Sequence, residues 1–191
     1  MVSSVVAYLS FLALLATERF VELAISRRNA RAAVAAGARE SGQRHYRVMA
    51  AFHALFLVSC AVEVIALRRP FPGALGFAAL AGAVGAQGLR YWAIATLGRR
   101  WNVRIITFPD AAPVTGGPYR YVRHPNYLAV ALEMICVPLV HGCWWTAIAF
   151  SAGNALLLRV RIRAEERALG TQYAAAFSNR PRFIPRLNRG A

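Results

Sequence analysis

Thirteen residues, Thr115–Tyr127 (TGGPYRYVRHPNY), hold three tyrosines, two arginines, a histidine and an asparagine between two long apolar segments. Gly116-Gly117, Pro118 and Pro125 forbid a continuous helix, and each proline pushes the residue before it toward extended backbone. The stretch is therefore a rigid, polar, basic connector placed where an apolar segment should begin. A linker that only joins helices has no need of such chemistry.

A second cluster lies at RVRIRAEERALGTQY, where Arg161, Glu165 and Leu169 share one helical stripe at i, i+4 and i+8. An Arg161–Glu165 pair on an exposed helix would be worth roughly 0.2–0.5 kcal/mol, and that plain reading stands beside a functional one. Glu165-Glu166 next to a basic loop has a further use. Adjacent carboxylates accept hydrogen bonds from a ribose diol or hold a cationic ligand.

The elements that must position these groups are apolar. The chain has 191 residues, 58% hydrophobic, with mean hydropathy +0.40, which is too apolar for an ordinary soluble domain. Its formal net charge is +15, and all 23 basic residues are arginine. The arginines cluster between apolar runs, an arrangement for anionic lipid headgroups and membrane orientation rather than for nucleic acid. No zinc-finger, helix-turn-helix or RNA-binding signature is present. Cys60, Cys136 and Cys143 sit inside apolar runs with no CxxC pair, so they read as small buried hydrophobes, and no metal site is expected.

The apolar pattern predicts an all-α integral membrane protein of five transmembrane helices, over about 2–26, 48–67, 73–97, 127–139 and 143–158. The motif connector is 98–126 and the polar tail 159–191, all in one domain. The N-terminus lacks a basic region and a cleavage site, so the first segment is read as a retained helix. Residues 127–158 are 32 apolar positions with Pro138 and His141-Gly142 in the middle. One helix that long would overshoot a hydrocarbon core of roughly 30 Å at about 1.5 Å per residue. A helical hairpin turning at 139–143 fits better. Nineteen of the 23 arginines fall in 27–47, the connector and the tail, against two at Arg68 and Arg69. The N-terminus is thus expected outside, with the connector and tail on the cytoplasmic face.

Several other residues carry expectations. Glu18 and Glu22 share a helical face turned to protein or headgroups. Ala78, Gly82 and Ala86 have the spacing that lets helices approach closely. Arg90 with Tyr91 and Trp92 marks an interface where the arginine snorkels. His53 and His141 read as internally satisfied, Glu63 and Glu133 as paired or protonated, Trp144-Trp145 as an outer anchor. Trp101 and Asn102 either line an acceptor path or pack.

GPYRYVRHPNYLAV, followed after one hairpin by RIRAEERALGTQYAAAF and RFIP, resembles the isoprenylcysteine carboxyl methyltransferase family of integral membrane enzymes. Phospholipid N-methyltransferases share a looser version of the layout. Glu18–Leu23, Ser26–Asn29 and Leu89–Arg104 further resemble small bacterial members, some of which look like partners of type III polyketide synthases that methylate alkylpyrone or alkylresorcinol hydroxyls. The resemblance implies S-adenosylmethionine bound at the cytoplasmic face of the bacterial inner membrane. Val114, Tyr119, His124, Pro125, Asn126, Tyr127, Glu165 and Glu166 would be cofactor-binding, and Arg161 and His124 catalytic. Ala129 departs from a glycine common in relatives. The implied partners are a lipidic acceptor and membrane lipids, with a homodimer possible.

Methyl transfer is a displacement at a sulfonium, so positioning and water exclusion dominate. Arg161 is cast as orienting the acceptor, since too strong a contact would hold back an anionic nucleophile. A hydroxyl acceptor needs a base, for which His124 or Glu165 are candidates. The alternatives are an isoprenylcysteine-like carboxyl methyltransferase, an NADPH-dependent membrane reductase, and a non-enzymatic scaffold or transporter.

Overall fold

The computed structural model describes residues 2–41, 43–108 and 111–184, with the side chains of 43–45 excepted. Pro185 of the RFIP motif, with Arg186 and Arg189, lies outside the described residues. Five long helices carry the chain: α1 Val2–Ala35, α2 Gln43–Ala66, α3 Ala74–Leu97, α4 Pro125–Leu139 and α5 Trp144–Ala176. The fold is all-helical apart from one antiparallel pair, β1 Arg39–Ser41 with β2 Ile105–Thr107, in register Glu40 to Ile106.

Two helices, α1 and Tyr46–Ala66 of α2, are long and apolar enough to cross a membrane. Only 17% and 22% of their apolar windows are buried. Leu14, Phe20, Leu55, Val58 and Val62 all stand exposed. A water-facing helix would not carry such a surface, whereas a lipid-facing one does.

The core joins four helices. Tyr8, Leu12 and Leu15 of α1 meet Phe56, Cys60 and Val64 of α2, Ala79 and Ala83 of α3, and Val130, Met134 and Val137 of α4. α3 lies closest to α4, because a β-carbon at Gly82 would sit 2.7 Å from Cys136 Sγ. The packed stripe of α3 is Gly76, Ala79, Ala83, Ala86, Arg90 and Ala93. Of the expected small-residue row, Gly82 and Ala86 take part while Ala78 is exposed. The hairpin forms where proline and glycine dictate: α4 ends past Pro138, and Gly142 turns with φ 67° before α5 starts. Glu63 accepts from the α5 backbone N–H of Trp145 (3.3 Å) and Thr146 (2.7 Å) and pairs with Arg69 (3.0 Å), so it serves that helix start.

Two boundaries differ most from expectation. α1 runs nine residues past Ser26, absorbing half of the arginine-rich segment, because Asn29, Ala30 and Ala33 are buried against the protein. α5 continues far beyond Leu158 and only breaks at Gly170 (φ 72°), since Arg161, Ile162 and Tyr173 still bury a face. The tail thus begins as a rigid extension of the last apolar helix. The β pair was invisible because three-residue strands carry no periodic signal.

Candidate active site

The connector is built down onto α3 and the tail. Gly117 takes φ 53°, and a β-carbon there would lie 2.2 Å from Thr96 Oγ1, so only glycine lets the turn sit on the end of α3. A short 3-10 turn, Gly117–Arg120, follows and buries Pro118 and Tyr119. Pro125 then starts α4 at a position where a missing N–H costs nothing. The tail returns to clasp the same backbone. Arg123 N–H donates to Pro181 O (2.9 Å), His124 N–H to Arg182 O (3.2 Å), and Arg123 Nε to Arg180 O (2.6 Å). Tyr119, Tyr173 and Phe177 pack together with Ala93 beneath it.

These elements wall a cavity of about 1000 Å³. Its polar half is lined by Val114, Tyr119, His124, Asn126, Tyr127, Arg161 and Glu165, and its apolar half by Ala16, Phe20, Leu23, Met49, Leu57 and Val58 of α1 and α2. Arg161, 4% exposed, donates from Nε to Tyr127 Oη (3.1 Å) and from Nη2 to Val103 O (2.7 Å). Tyr127 in turn donates its hydroxyl to Glu165 Oε2. The exposed Arg161–Glu165 ion pair is therefore not what forms. Burial of Arg161 and the helix rotation insert a tyrosine between them.

Glu165 stands apart among the described carboxylates. Glu18, Glu22, Glu40, Glu63, Glu133 and Glu166 each have an arginine within 4 Å; Glu165 meets only the Tyr127 phenol. Its neighbour Glu166 lies behind the wall, held by Arg182 Nη2 (2.6 Å) and His124 Nε2 (3.1 Å). Burial raises the Glu166 pKa, but the hydrogen bonds from Arg182 and His124 outweigh it and hold the carboxyl below its ordinary value. Burial pushes the Tyr119 and Tyr173 phenols up, with Glu165 adding to both, so each is a neutral donor. Pro125 is also behind the wall, and Ala129 is fully buried outside the cavity lining. Four buried polar atoms on lining residues have no hydrogen-bond partner: Arg161 Nη1, Asn126 Oδ1, Asn102 Nδ2 and Arg90 Nη1.

Sequence reasoning missed part of this wall. Asn102 Oδ1 accepts from Ser26 Oγ (2.8 Å), and Asn29 Nδ2 donates to Trp101 O (2.9 Å), so the first helix braces the connector. Trp101 both packs, at 2% exposure, and lines the cavity. Arg90 does not snorkel. It turns inward to Glu22 in a bidentate pair (2.6 and 2.7 Å), with Arg19 bridging Glu22 (2.8 Å) and Glu133 (3.3 Å). Tyr91 and Trp92 remain exposed beside it. The signal available was the opposite charge of Glu18, Arg19 and Glu22 in one apolar segment and Arg90 in another. His53 Nδ1 donates to Met49 O (2.8 Å), the satisfied helix histidine expected, although its ring also borders the cavity.

A profile of the isoprenylcysteine carboxyl methyltransferase (ICMT) family matches residues 78–171, which takes in the connector and Arg161–Glu166 of the polar half. The uncharacterized protein YpbQ of Bacillus subtilis (strain 168) is 40% identical over 159 residues, 83% of this chain and 94% of the relative. An uncharacterized protein of Haemophilus influenzae is 30% identical over 154 residues, 79% of this chain and 88% of its own length. The chain belongs to the isoprenylcysteine carboxyl methyltransferase family, membrane methyltransferases that use S-adenosylmethionine.

Proposed function

We propose that this protein transfers the methyl group of S-adenosylmethionine to a hydroxyl of a lipidic acceptor of the alkylpyrone or alkylresorcinol type. The observation that carries the reading is Glu165, a cavity-lining carboxylate with no arginine partner among the described residues of an arginine-rich chain. Such a group favours a cationic ligand, and a sulfonium or an ammonium qualifies. Tyr119 and Tyr127 add aromatic faces, which attract cations as well as stacking on a purine. Asn126 Oδ1 and Arg161 Nη1, unspent and buried, supply an acceptor and a donor for an amino-acid or ribose group. The residues present therefore fit the cofactor, whose contribution when bound is an activated methyl group.

The cofactor side would be Val114, Tyr119, Asn126, Tyr127 and Glu165, with Pro125 and Glu166 acting from behind the wall. The acceptor side is the apolar half between α1 and α2, and Arg161 at the junction orients the acceptor oxygen through its Val103 and Tyr127 anchors. A cavity of about 1000 Å³ is at the top of the range for one small ligand, roughly 300–1,000 Å³, and suits two. The five-helix bundle would sit in the bacterial inner membrane with connector and tail in the cytoplasm, as the arginine distribution favours.

Equilibrium binding to the protein purified in detergent tests this. Wild type should bind S-adenosylmethionine, and Glu165→Ala should weaken binding by about 10–100-fold, the loss of a hydrogen bond to a charged group. Binding of NADPH in place of S-adenosylmethionine would overturn the reading. An isoprenylcysteine-like carboxylate methylated in preference to a hydroxyl would keep the enzyme class and change the acceptor.

A further inference from the structure

His124 is held by its surroundings in one tautomer. Its Nε2 faces Glu166 Oε1 at 3.1 Å, and Arg182 grips both oxygens of that carboxylate, Oε1 from Nε at 3.1 Å and Oε2 from Nη2 at 2.6 Å. A carboxylate kept ionised by Arg182 can only accept, so the shared proton belongs to Nε2. A neutral ring then carries its lone pair on Nδ1. Tyr127 stacks on the ring with centroids 5.4 Å apart at 27°, and Tyr173 lies at 6.3 Å with its hydroxyl donated to Arg123 O. The backbone N–H of His124 is tied to Arg182 O. No described residue meets Nδ1. His124 lines the cavity and Glu166 does not, so the orienting carboxylate is behind the ring and the bare nitrogen in front.

We infer that Glu166 and Arg182 hold His124 as a general base whose Nδ1 takes the proton of a hydroxyl acceptor, which opens the site to phenols that are not ionised at neutral pH. This rests on the methyltransferase reading above and deepens it by naming the acceptor class. As the acceptor oxygen bonds the methyl carbon, the carbon–sulfur pair stays on sulfur, which becomes a neutral thioether. The O–H proton passes to Nδ1. Positive charge thus moves from sulfur to imidazole, where Glu166 faces it, and the proton leaves later to water. A base oriented by a carboxylate is the logic of acyl-transfer triads, used here for a hydroxyl on a lipid. Glu166 and Arg182 are positioning residues.

Two acceptors of different acidity separate a base from a mere contact. 5-Pentadecylresorcinol carries phenols like that of tyrosine, un-ionised near neutral pH, with a pKa of about 10. A 6-pentadecyl-4-hydroxy-2-pyrone, a vinylogous acid, is already ionised there. His124→Gln should lose about 10²–10⁴-fold in kcat on the resorcinol and far less on the pyrone. Glu166→Gln should lower activity on the resorcinol selectively and shift its pH profile, with Glu166→Asp restoring part of it. The groups around the ring that bear on that profile are Glu165, Glu166 and Tyr173 from α5, Tyr127 from α4, and Arg123 and Arg182 from connector and tail. Equal losses in kcat on both acceptors would overturn the assignment. Spectra of ¹⁵N-histidine-labelled protein in nanodiscs give a readout without turnover: His124 should show Nε2–H and a bare Nδ1 at neutral pH, and the reverse would overturn it. A wild type that binds no S-adenosylmethionine at all instead refutes the reading beneath.

Discussion

Two clusters of charge lie within this helical bundle, and they are built to opposite rules. Between α1, α3 and α4, Arg19 and Arg90 face Glu18, Glu22 and Glu133, with every carboxylate reaching an arginine within 4 Å. Gln87 fills in by donating to Glu18 and accepting from Arg19. Little is left over, only Glu18 Oε1 and Arg90 Nη1. In the polar half of the cavity, Arg161, Tyr127 and Glu165 form a chain whose ends stay open, with Asn126 Oδ1 and Asn102 Nδ2 also unspent. A closed network locks helices, since each charge needs its partner to remain in a low dielectric. An open one leaves valence for a ligand.

Substitution should separate the two most sharply at Arg90. Arg90→Ala removes the bidentate partner of Glu22 and leaves it Arg19 alone, which should cost up to about 3–5 kcal/mol of stability, read as a lower melting temperature in detergent. Glu165→Ala removes only the acceptor of the Tyr127 hydroxyl and should lower melting far less than Arg90→Ala while weakening the cofactor. If both variants lowered melting alike, the contrast would collapse. Tyr127→Phe comes next in size. It removes the hydroxyl that accepts from Arg161 and donates to Glu165, a loss of about 1.5–3 kcal/mol of charged hydrogen bonding. It should appear in KM for the acceptor and in cofactor affinity together, because one oxygen serves both sides.

The smallest effect is that of acid on the tail clasp. Glu166 has a folded-state pKa below its unfolded value, so the unfolded chain takes up the proton first. Stability from Arg182 and His124 is complete above the ordinary carboxylate pKa of about 4.3 and fades as pH falls through the lower folded value. Glu166→Gln should therefore melt below wild type at pH 7, with the gap narrowing below about pH 4.

Much of the molecule was legible because it rests on local rules. Pro118, Pro125, Pro138 and Gly142 mark breaks that backbone geometry alone requires, and the helices of the hairpin begin and end beside them. Apolar runs located all five helices. Their ends were less legible: α1 and α5 outrun their apolar stretches because polar faces at Asn29 and Arg161 find partners inside the protein, which no window of hydropathy records. Arg90 was misread for the same reason, since snorkelling and pairing differ only in where Glu22 stands.

The amino-acid order by itself determined which chemistry was available and roughly where the chain must turn, since charge, proline and apolar length act within a few residues. It also brought His124 and Glu165 to the same end of one hairpin. What only the tertiary structure decided was which of two adjacent glutamates meets the cavity. Glu165 faces inward to Tyr127, and Glu166 backs His124, held by an arginine sixteen residues on. That choice depends on the rotation of α5 against α4 and on the tail folding back, both set by packing at Tyr173 and Phe177, contacts far apart in the chain.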